Sequence, residues 1–324
     1  MRIKRYIFLK NPISYFKVFR LDLFLAWFFF KPYTFFRLMI DFIRIRPQIV
    51  NLHFPDYQLV ECYLLQKLFR FKLIMSLHGD EVVRMERLNK STLRYFLYKD
   101  LFTSSIYITG CSKYLLDKFH NIFPSINRNK CITLLNGVNE NFIYQSLNEN
   151  KSNYIFSAGR FVHKKGFDLL FEAIKHLKDF DKGLQIVIFG QNKPKNPIDF
   201  NFPVNYSGFF HDDISLRLFY SSVDLMIVPS RTDTLNQVAI ESMSCATPVV
   251  AFGATGLLDI VDHKINGYLA KPFEIEDLAN GIKYILDAPN YDELCDNARQ
   301  KIIKTFDNEV VTKQYIELYK SILK

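Results

Sequence analysis

Short runs of apolar, largely β-branched residues alternate along the chain with stretches of helical period, and this alternation carries the first structural reading. Ile49–His53, Lys72–Leu77, Ile106–Thr109 and Ile132–Leu135 read as buried strands separated by helices. After a polar, Asn- and Lys-rich stretch at Gln145–Asn153 the pattern restarts. Tyr154–Ala158, Gln185–Phe189, Val204–Ser207, Leu225–Val228, Pro248–Phe252 and Tyr268–Ala270 are the next expected strands, with helices at Phe167–Lys178, Ile214–Ser221 and Gln237–Cys245. Strands alternating with helices build a parallel sheet covered on both faces. Two such series predict an α/β protein of two doubly wound, Rossmann-like domains facing across a cleft, with ligands at the carboxyl ends of the strands. The expected boundaries are 1–145, with helices at 12–46, then 151–305, then a C-terminal helix at 306–324 that crosses back to the first domain.

Composition changes this picture at one place. The chain carries +9, and residues 1–50 account for +8 of it through ten Lys or Arg against Asp22 and Asp41. A nucleic-acid-binding main domain is therefore not expected. The basic segment is interleaved with Trp27, Phe28, Phe29, Phe30, Tyr33, Phe35 and Phe36. Its longest uncharged run, Leu23–Phe30, is too short to cross a bilayer, and Lys10 breaks the apolar stretch a signal peptide needs. Pro12 suits a helix start and Pro32 a helix end. At 100° per residue Lys10, Lys17, Arg20 and Lys31 share one arc, and after Pro32 so do Thr34, Arg37, Asp41 and Arg44. This is the pattern of helices lying on the inner face of a cytoplasmic membrane; helices packed on a sheet give it too. The five cysteines are scattered without metal spacing and read as free thiols of a cytoplasmic protein.

Three segments carry chemistry. Gly159-Arg160-Phe161-Val162-His163-Lys164-Lys165-Gly166 joins a strand to a helix. Free N–H groups, a helix dipole and the cations of Arg160 and Lys165 suit that turn to a phosphate or diphosphate, although the spacing is neither a Walker A loop nor GxGxxG. In the second, a strand ends at Pro229-Ser230 and a helix begins near Asn236, which puts Asp233 on the loop and Glu241 eight residues further on. Each carboxylate offers two acceptor oxygens to vicinal sugar hydroxyls. The third, Leu73–Asp80, is a strand that ends in His78-Gly79.

These segments resemble the C-terminal domain of family-4 retaining glycosyltransferases of the GT-B fold. The likeness rests on the G-R-x4-K-G loop, the acidic-x7-Glu element with Thr247-Pro248-Val249-Val250, Gly256–Val261 and Asn266–Leu269. It covers about residues 105–290 and, more weakly, 47–80. The resemblance implies transfer of a hexose from a UDP- or GDP-sugar to a lipid-linked or polysaccharide acceptor of cell-surface glycan synthesis, with no cofactor and no metal. Gly159, Arg160 and Lys165 would hold the diphosphate and Glu241 the ribose. Asp233 would lie near the transferred sugar, Thr234, Leu235 and Asn236 would meet sugar or phosphate through their backbone, and His78 would stand on the sugar side. Gly208 and Phe209 would lie beside the base, or Phe209 in the core. Asp233 stands where the family has Glu, about 1.5 Å shorter in reach. Asn136-Gly137-Val138-Asn139 resembles the turn leading out of the first domain, while Asp179-Phe180-Asp181 reads as a solvated loop and not as a metal motif.

The chain departs from that family at its start. No glycine precedes Gly79, and Lys4–Leu9 is the only fair strand before Ile49. The glycine turn of the first domain is thus missing or replaced by the basic aromatic helices. Two other readings stay open, a truncated nucleotide-sugar-binding protein without activity and a nucleotide-sugar epimerase.

Overall fold

A computed structural model describes residues 21–56, 58–138, 142, 154–158, 162–178, 180, 183–190, 192–193 and 202–324. In chain order its elements are α1 (Leu21–Ile45), β1 (Ile49–His53), α2 (Leu59–Leu68), β2 (Lys72–Leu77), α3 (Asp80–Glu86), α4 (Leu93–Ser104), β3 (Tyr107–Gly110), α5 (Lys113–Ile122) and β4 (Cys131–Thr133). There follow β5 (Tyr154–Ala158), α6 (Phe167–Lys175), β6 (Gln185–Phe189), β7 (Val204–Gly208), α7 (Asp213–Ser221), β8 (Leu225–Val228), α8 (Gln237–Ser244), β9 (Val249–Phe252), β10 (Gly267–Ala270), α9 (Ile275–Leu286), α10 (Tyr291–Thr305) and α11 (Asn308–Leu323). They form two compact units. One holds the residues up to Gly110 with Leu115–Thr133 and Leu318–Lys324; the other holds Cys111–Tyr114 and Leu134–Glu317.

The first unit is built on a parallel sheet in the order β1-β2-β3-β4. β2 is buried from Leu73 to Leu77, as a strand covered on both faces must be. Its polar positions are paired within the sheet. Thr109 donates to the Ser76 hydroxyl at 2.8 Å, Ser76 to Asn51 at 2.7 Å, and Asn51 to the Tyr319 hydroxyl of α11 at 2.8 Å.

The helix α1 differs from expectation. It runs through Pro32 and stops only at Ile45, where Arg46 adopts φ +48° and Pro47 follows. An internal proline removes one ladder bond and costs about 3 kcal/mol. Packing outweighs that cost. Lys31 pairs with the buried Glu61 of α2, Thr34 and Asp41 are buried, and the Phe42 ring lies 5.6 and 5.4 Å from Phe69 and Phe71. Lys31 therefore points into the unit and is not part of an outward basic arc. Thr34 and Asp41 likewise part from Arg37 and Arg44, which are exposed. The expected strand at Lys4–Leu9 and the turns around Pro12, Lys10, Lys17 and Arg20 lie outside the described residues. No described helix is long and apolar enough to cross a membrane.

The second unit has six parallel strands in the order β7-β6-β5-β8-β9-β10. Side chains of β6, β8 and β9 alternate between two cores. Val187, Phe189, Met226, Val228, Val249 and Ala251 face α8 and α10, whereas Ile186, Ile188, Leu225, Ile227, Val250 and Phe252 face α6 and α9. Each fully buried Leu, Ile or Val contributes roughly 1.5–3 kcal/mol, so covering both faces fixes the strand register as well as the stability. The Asn136–Val138 stretch is sewn in here, and Asn139 lies outside the described residues. Val138 N–H donates to Phe306 O at 2.8 Å, and a Cβ on Gly137 would lie 2.1 Å from Asn308 Oδ1.

In the first unit the Asp56 carboxylate, 3% exposed, lies 2.8 Å from Arg84 Nε and also pairs with Arg94. Removing one partner of a buried pair is far more costly than breaking an exposed one. Arg84→Ala/Arg94→Ala, which leaves that buried carboxylate unpaired, is expected to destabilise the unit by about 3 kcal/mol. Lys67→Ala, which breaks the exposed pair with Asp100, should change stability by less than about 0.5 kcal/mol. Urea unfolding followed by circular dichroism compares the two.

Candidate active site

In the second unit the strand order reverses between β5 and β8, since the chain leaves β5 toward β7 on one side and resumes at β8 on the other. At such a point the loops from the carboxyl ends of both strands diverge and leave a crevice. The loop after β5 makes a 3-10 turn at His163–Lys165 and enters α6 through Gly166 at φ +68°. A Cβ on Gly166 would sit 1.9 Å from the Pro229 carbonyl oxygen, so this loop lies directly on the end of β8 only because the residue is glycine. Arg231 reinforces the contact. Its guanidinium forks onto Asp168 at 2.7 and 2.5 Å and donates to His163 O at 2.8 Å, and its N–H bonds Lys164 O at 2.9 Å. That guanidinium holds the Asp168 carboxyl below the usual carboxylate range.

The two loops bring predicted residues together. Lys165 Nζ lies 3.0 and 3.3 Å from the two oxygens of Asp233, and Asn236 donates to Asp233 Oδ2 at 2.7 Å. Asn236 also caps α8, accepting from Ala239 N–H at 2.9 Å. The loop after β9 closes on the same place. Gly256 N–H donates to Asp233 O at 3.0 Å, and a Cβ on Gly256 would stand 2.0 Å from Thr234 O. Leu235 packs against the core beneath. Beside Gly256, Thr255 adopts φ +61°, a strained conformation for a β-branched residue, with its hydroxyl oxygen buried and unpartnered among the described residues.

Glu241 lies in the second turn of α8, where its Oε2 accepts from the buried Tyr220 hydroxyl at 2.9 Å. Burial pushes its carboxyl up to about 7, against the hydrogen bonds from Tyr220 and Gln237 that favour the anion. Gly208 ends β7 at φ +67°, and Phe209 after it is 54% exposed. Phe209 is thus not a core residue; Phe210 fills that place, its ring 4.8 Å from Phe219. Gly159 and Arg160 lie outside the described residues, as do Asp179 and Asp181. Among the described residues no group of three His, Cys, Asp or Glu is arranged to hold a metal.

In the first unit His78 follows β2, with its Nε2 3.0 Å from Nδ1 of His53 at the end of β1 and the Phe54 ring stacked on it at 4.0 Å. Burial, then the neighbouring His78, lowers the His53 pKa. The backbone N–H groups of His78 and Gly79 both donate to the buried Glu81. Sequence reasoning missed three participants. His53 carries the same signal as His78, a histidine at a strand's carboxyl end, and could have been found. Tyr220 and Arg231 carry no local signal, because their partners are 21 and 63 residues away.

Comparison with known proteins decides the family. Residues 138–305 match the model of glycosyl transferases group 1, which is more than half of the chain. The chain belongs to the group 1 glycosyl transferases. It is 30% identical over 253 residues, 76% of the chain, to an uncharacterized glycosyltransferase of Methanocaldococcus jannaschii, and the match spans 66% of that protein. It is 26% identical over 175 residues to the lipopolysaccharide core biosynthesis glycosyltransferase LpsE of Rhizobium meliloti, covering 52% of the chain and 49% of LpsE. The HepE protein of Anabaena, solved in complex with UDP, superposes with a TM-score of 0.67 at 20% identity, covering 81% of this chain and 76% of HepE. The fold of this group 1 glycosyl transferase is GT-B, as its sequence motifs predict.

The raised Glu241 pKa fixes a stability prediction. Between about pH 4.5 and 7 the folded carboxyl holds a proton that the unfolded one has lost, so stability falls as pH rises through that window. The loss amounts to about 3 kcal/mol. Glu241→Gln should flatten the change in urea stability between pH 5 and pH 8; equal slopes in both proteins would refute the assignment.

Proposed function

We propose that this protein transfers a sugar from a UDP- or GDP-sugar to a hydroxyl of a lipid-linked or polysaccharide acceptor, with retention of anomeric configuration. The observation that carries the reading is the Lys165–Asp233–Asn236 cluster at the strand-order reversal of a group 1 glycosyl transferase. Lys165, joined by Arg160, takes the donor diphosphate and neutralises the charge that grows on it as the bond to the sugar breaks. Asp233 and Asn236 address the sugar, and Glu241 accepts from the ribose hydroxyls. His78 stands on the sugar side in the first unit. The acceptor attacks from the face the nucleotide leaves, and its proton departs with the diphosphate. Holding both substrates in one geometry supplies much of the rest of the acceleration. The UDP bound by HepE and the lipopolysaccharide role of LpsE support a nucleotide donor and a surface-glycan acceptor.

The first test is thermal stabilisation by UDP and by GDP. A nucleotide at a hundred times its dissociation constant adds about 2.7 kcal/mol, a rise of roughly 5 °C or more. One nucleotide should produce it in the wild type, and Lys165→Ala and Glu241→Ala should abolish it. No shift with either nucleotide would overturn the reading. Since lysine and arginine supply the positive charge, donor turnover with a hydroxyl acceptor should also survive EDTA; its loss would reassign the diphosphate to a metal.

A further inference from the structure

Helix α1 carries apolar side chains outward as well as inward, where Leu38 and Phe42 meet Leu65 and Phe71. Its polar residues Thr34 and Asp41 are buried and Lys31 is paired inward with Glu61, whereas Tyr33, Phe36, Ile40 and Ile43 are 57, 55, 47 and 54% exposed. On a wheel of 100° per residue those four fall within about 80° of one another, and Arg37 and Arg44 border them on one edge. Both arginines are exposed, and so is Arg46 just past the helix end. An unbroken apolar stripe with a cationic edge, on a helix not apolar enough as a whole to cross a membrane, is the physical description of a helix lying in a lipid–water interface.

We propose that the outer face of α1 docks this protein on an anionic lipid bilayer, with Phe36, Ile40 and Ile43 at the acyl–headgroup boundary and Arg37, Arg44 and Arg46 on lipid phosphates. Charge selects this occupant over the others. A second copy of the chain would bring one molecule of net charge +9 against another. Residues 1–20 carry six Lys or Arg and no acid, so laying them on this face would add like charge to it. An anionic bilayer instead attracts both segments. The proposal does not depend on the donor site in the second unit.

The test uses the full chain and vesicles of phosphatidylcholine, with and without phosphatidylglycerol. Wild-type protein should co-sediment with the anionic vesicles and be released by salt, because screening shortens the reach of the surface potential. The variant Phe36→Ser/Ile40→Ser/Ile43→Ser should lose about a hundredfold in partitioning. The variant Arg37→Ser/Arg44→Ser/Arg46→Ser should weaken the preference for anionic lipid about tenfold or more. Both should melt as the wild type does, since the replaced side chains are exposed. Three results would overturn the proposal: wild type that ignores anionic vesicles at low salt; a serine variant that binds as well as wild type; or a face already covered in solution. Cover by a second copy would appear as a wild-type dimer that the serine variant dissolves. Cover by the chain's own first residues would appear as an Ile40→Cys thiol shielded from a water-soluble maleimide without vesicles.

Discussion

The candidate site depends on one close approach, that of Gly166 to the carbonyl of Pro229. A side chain at residue 166 would put carbon 1.9 Å from that oxygen, a distance no structure tolerates, and the backbone there already takes φ +68°. Because glycine removes the obstacle, the turn after β5 rests against the end of β8. Lys165, the preceding residue, then falls within 3.0 Å of Asp233. The device recurs across the crevice, where Gly256 lets the loop after β9 meet the carbonyl of Thr234. Two of only 12 glycines thus hold three loops together. Arg231 then fixes the spacing of the loops after β5 and β8 by bonding Asp168, His163 and Lys164 at once.

The loops give two carboxylates different fates. Asp233 faces a lysine and an asparagine amide, so its charge is answered on both sides. Glu241 faces a tyrosine hydroxyl and a glutamine in a buried setting, and among the described residues no cation offsets its desolvation. Under the proposed reading this difference has a use. A carboxyl poised near neutrality accepts from ribose hydroxyls most strongly as an anion, so nucleotide binding favours loss of its proton. Lys165 plays the converse part. It is shared between Asp233 and an incoming phosphate, and the more charge the phosphate develops, the less Asp233 retains of it.

The second unit was the more legible in sequence, because both faces of its sheet are buried. Strands covered on two sides read as continuous apolar runs, and the expected limits at β5, β6 and β8 are those observed. The loops themselves are marked by motif order, and of the residues it singles out Lys165, Asp233 and Asn236 come together in the structure. The residues that support the site from elsewhere carry no such mark. Tyr220 supports Glu241 from another helix, and Arg231 reaches an aspartate 63 residues earlier, contacts that only the strand order creates. In the first unit His53, at the end of β1, carries the same local signal as His78 after β2, and the two rings meet. The parallel register sets His53 beside Ser76, two residues before His78.

Helix α1 shows what periodicity leaves undecided. A wheel divides a helix into two faces, but it does not say which of them turns inward. By apolar content the Phe36–Ile40–Ile43 face should be the buried one. Glu61 decides otherwise. With its side chain 4% exposed on α2, an unpaired carboxylate there would cost several kcal/mol, and the same inward face sets Phe42 against Phe69 and Phe71. Lys31 is the cation that answers it, and turning Lys31 inward carries Thr34 and Asp41 inward and the aromatic stripe outward. The proline at residue 32 is accepted within the same arrangement, since ending the helix there would free the segment that Phe42 anchors on Phe69 and Phe71. One buried acid and one aromatic anchor thus lie on the inward face, and the Phe36–Ile40–Ile43 face is left exposed.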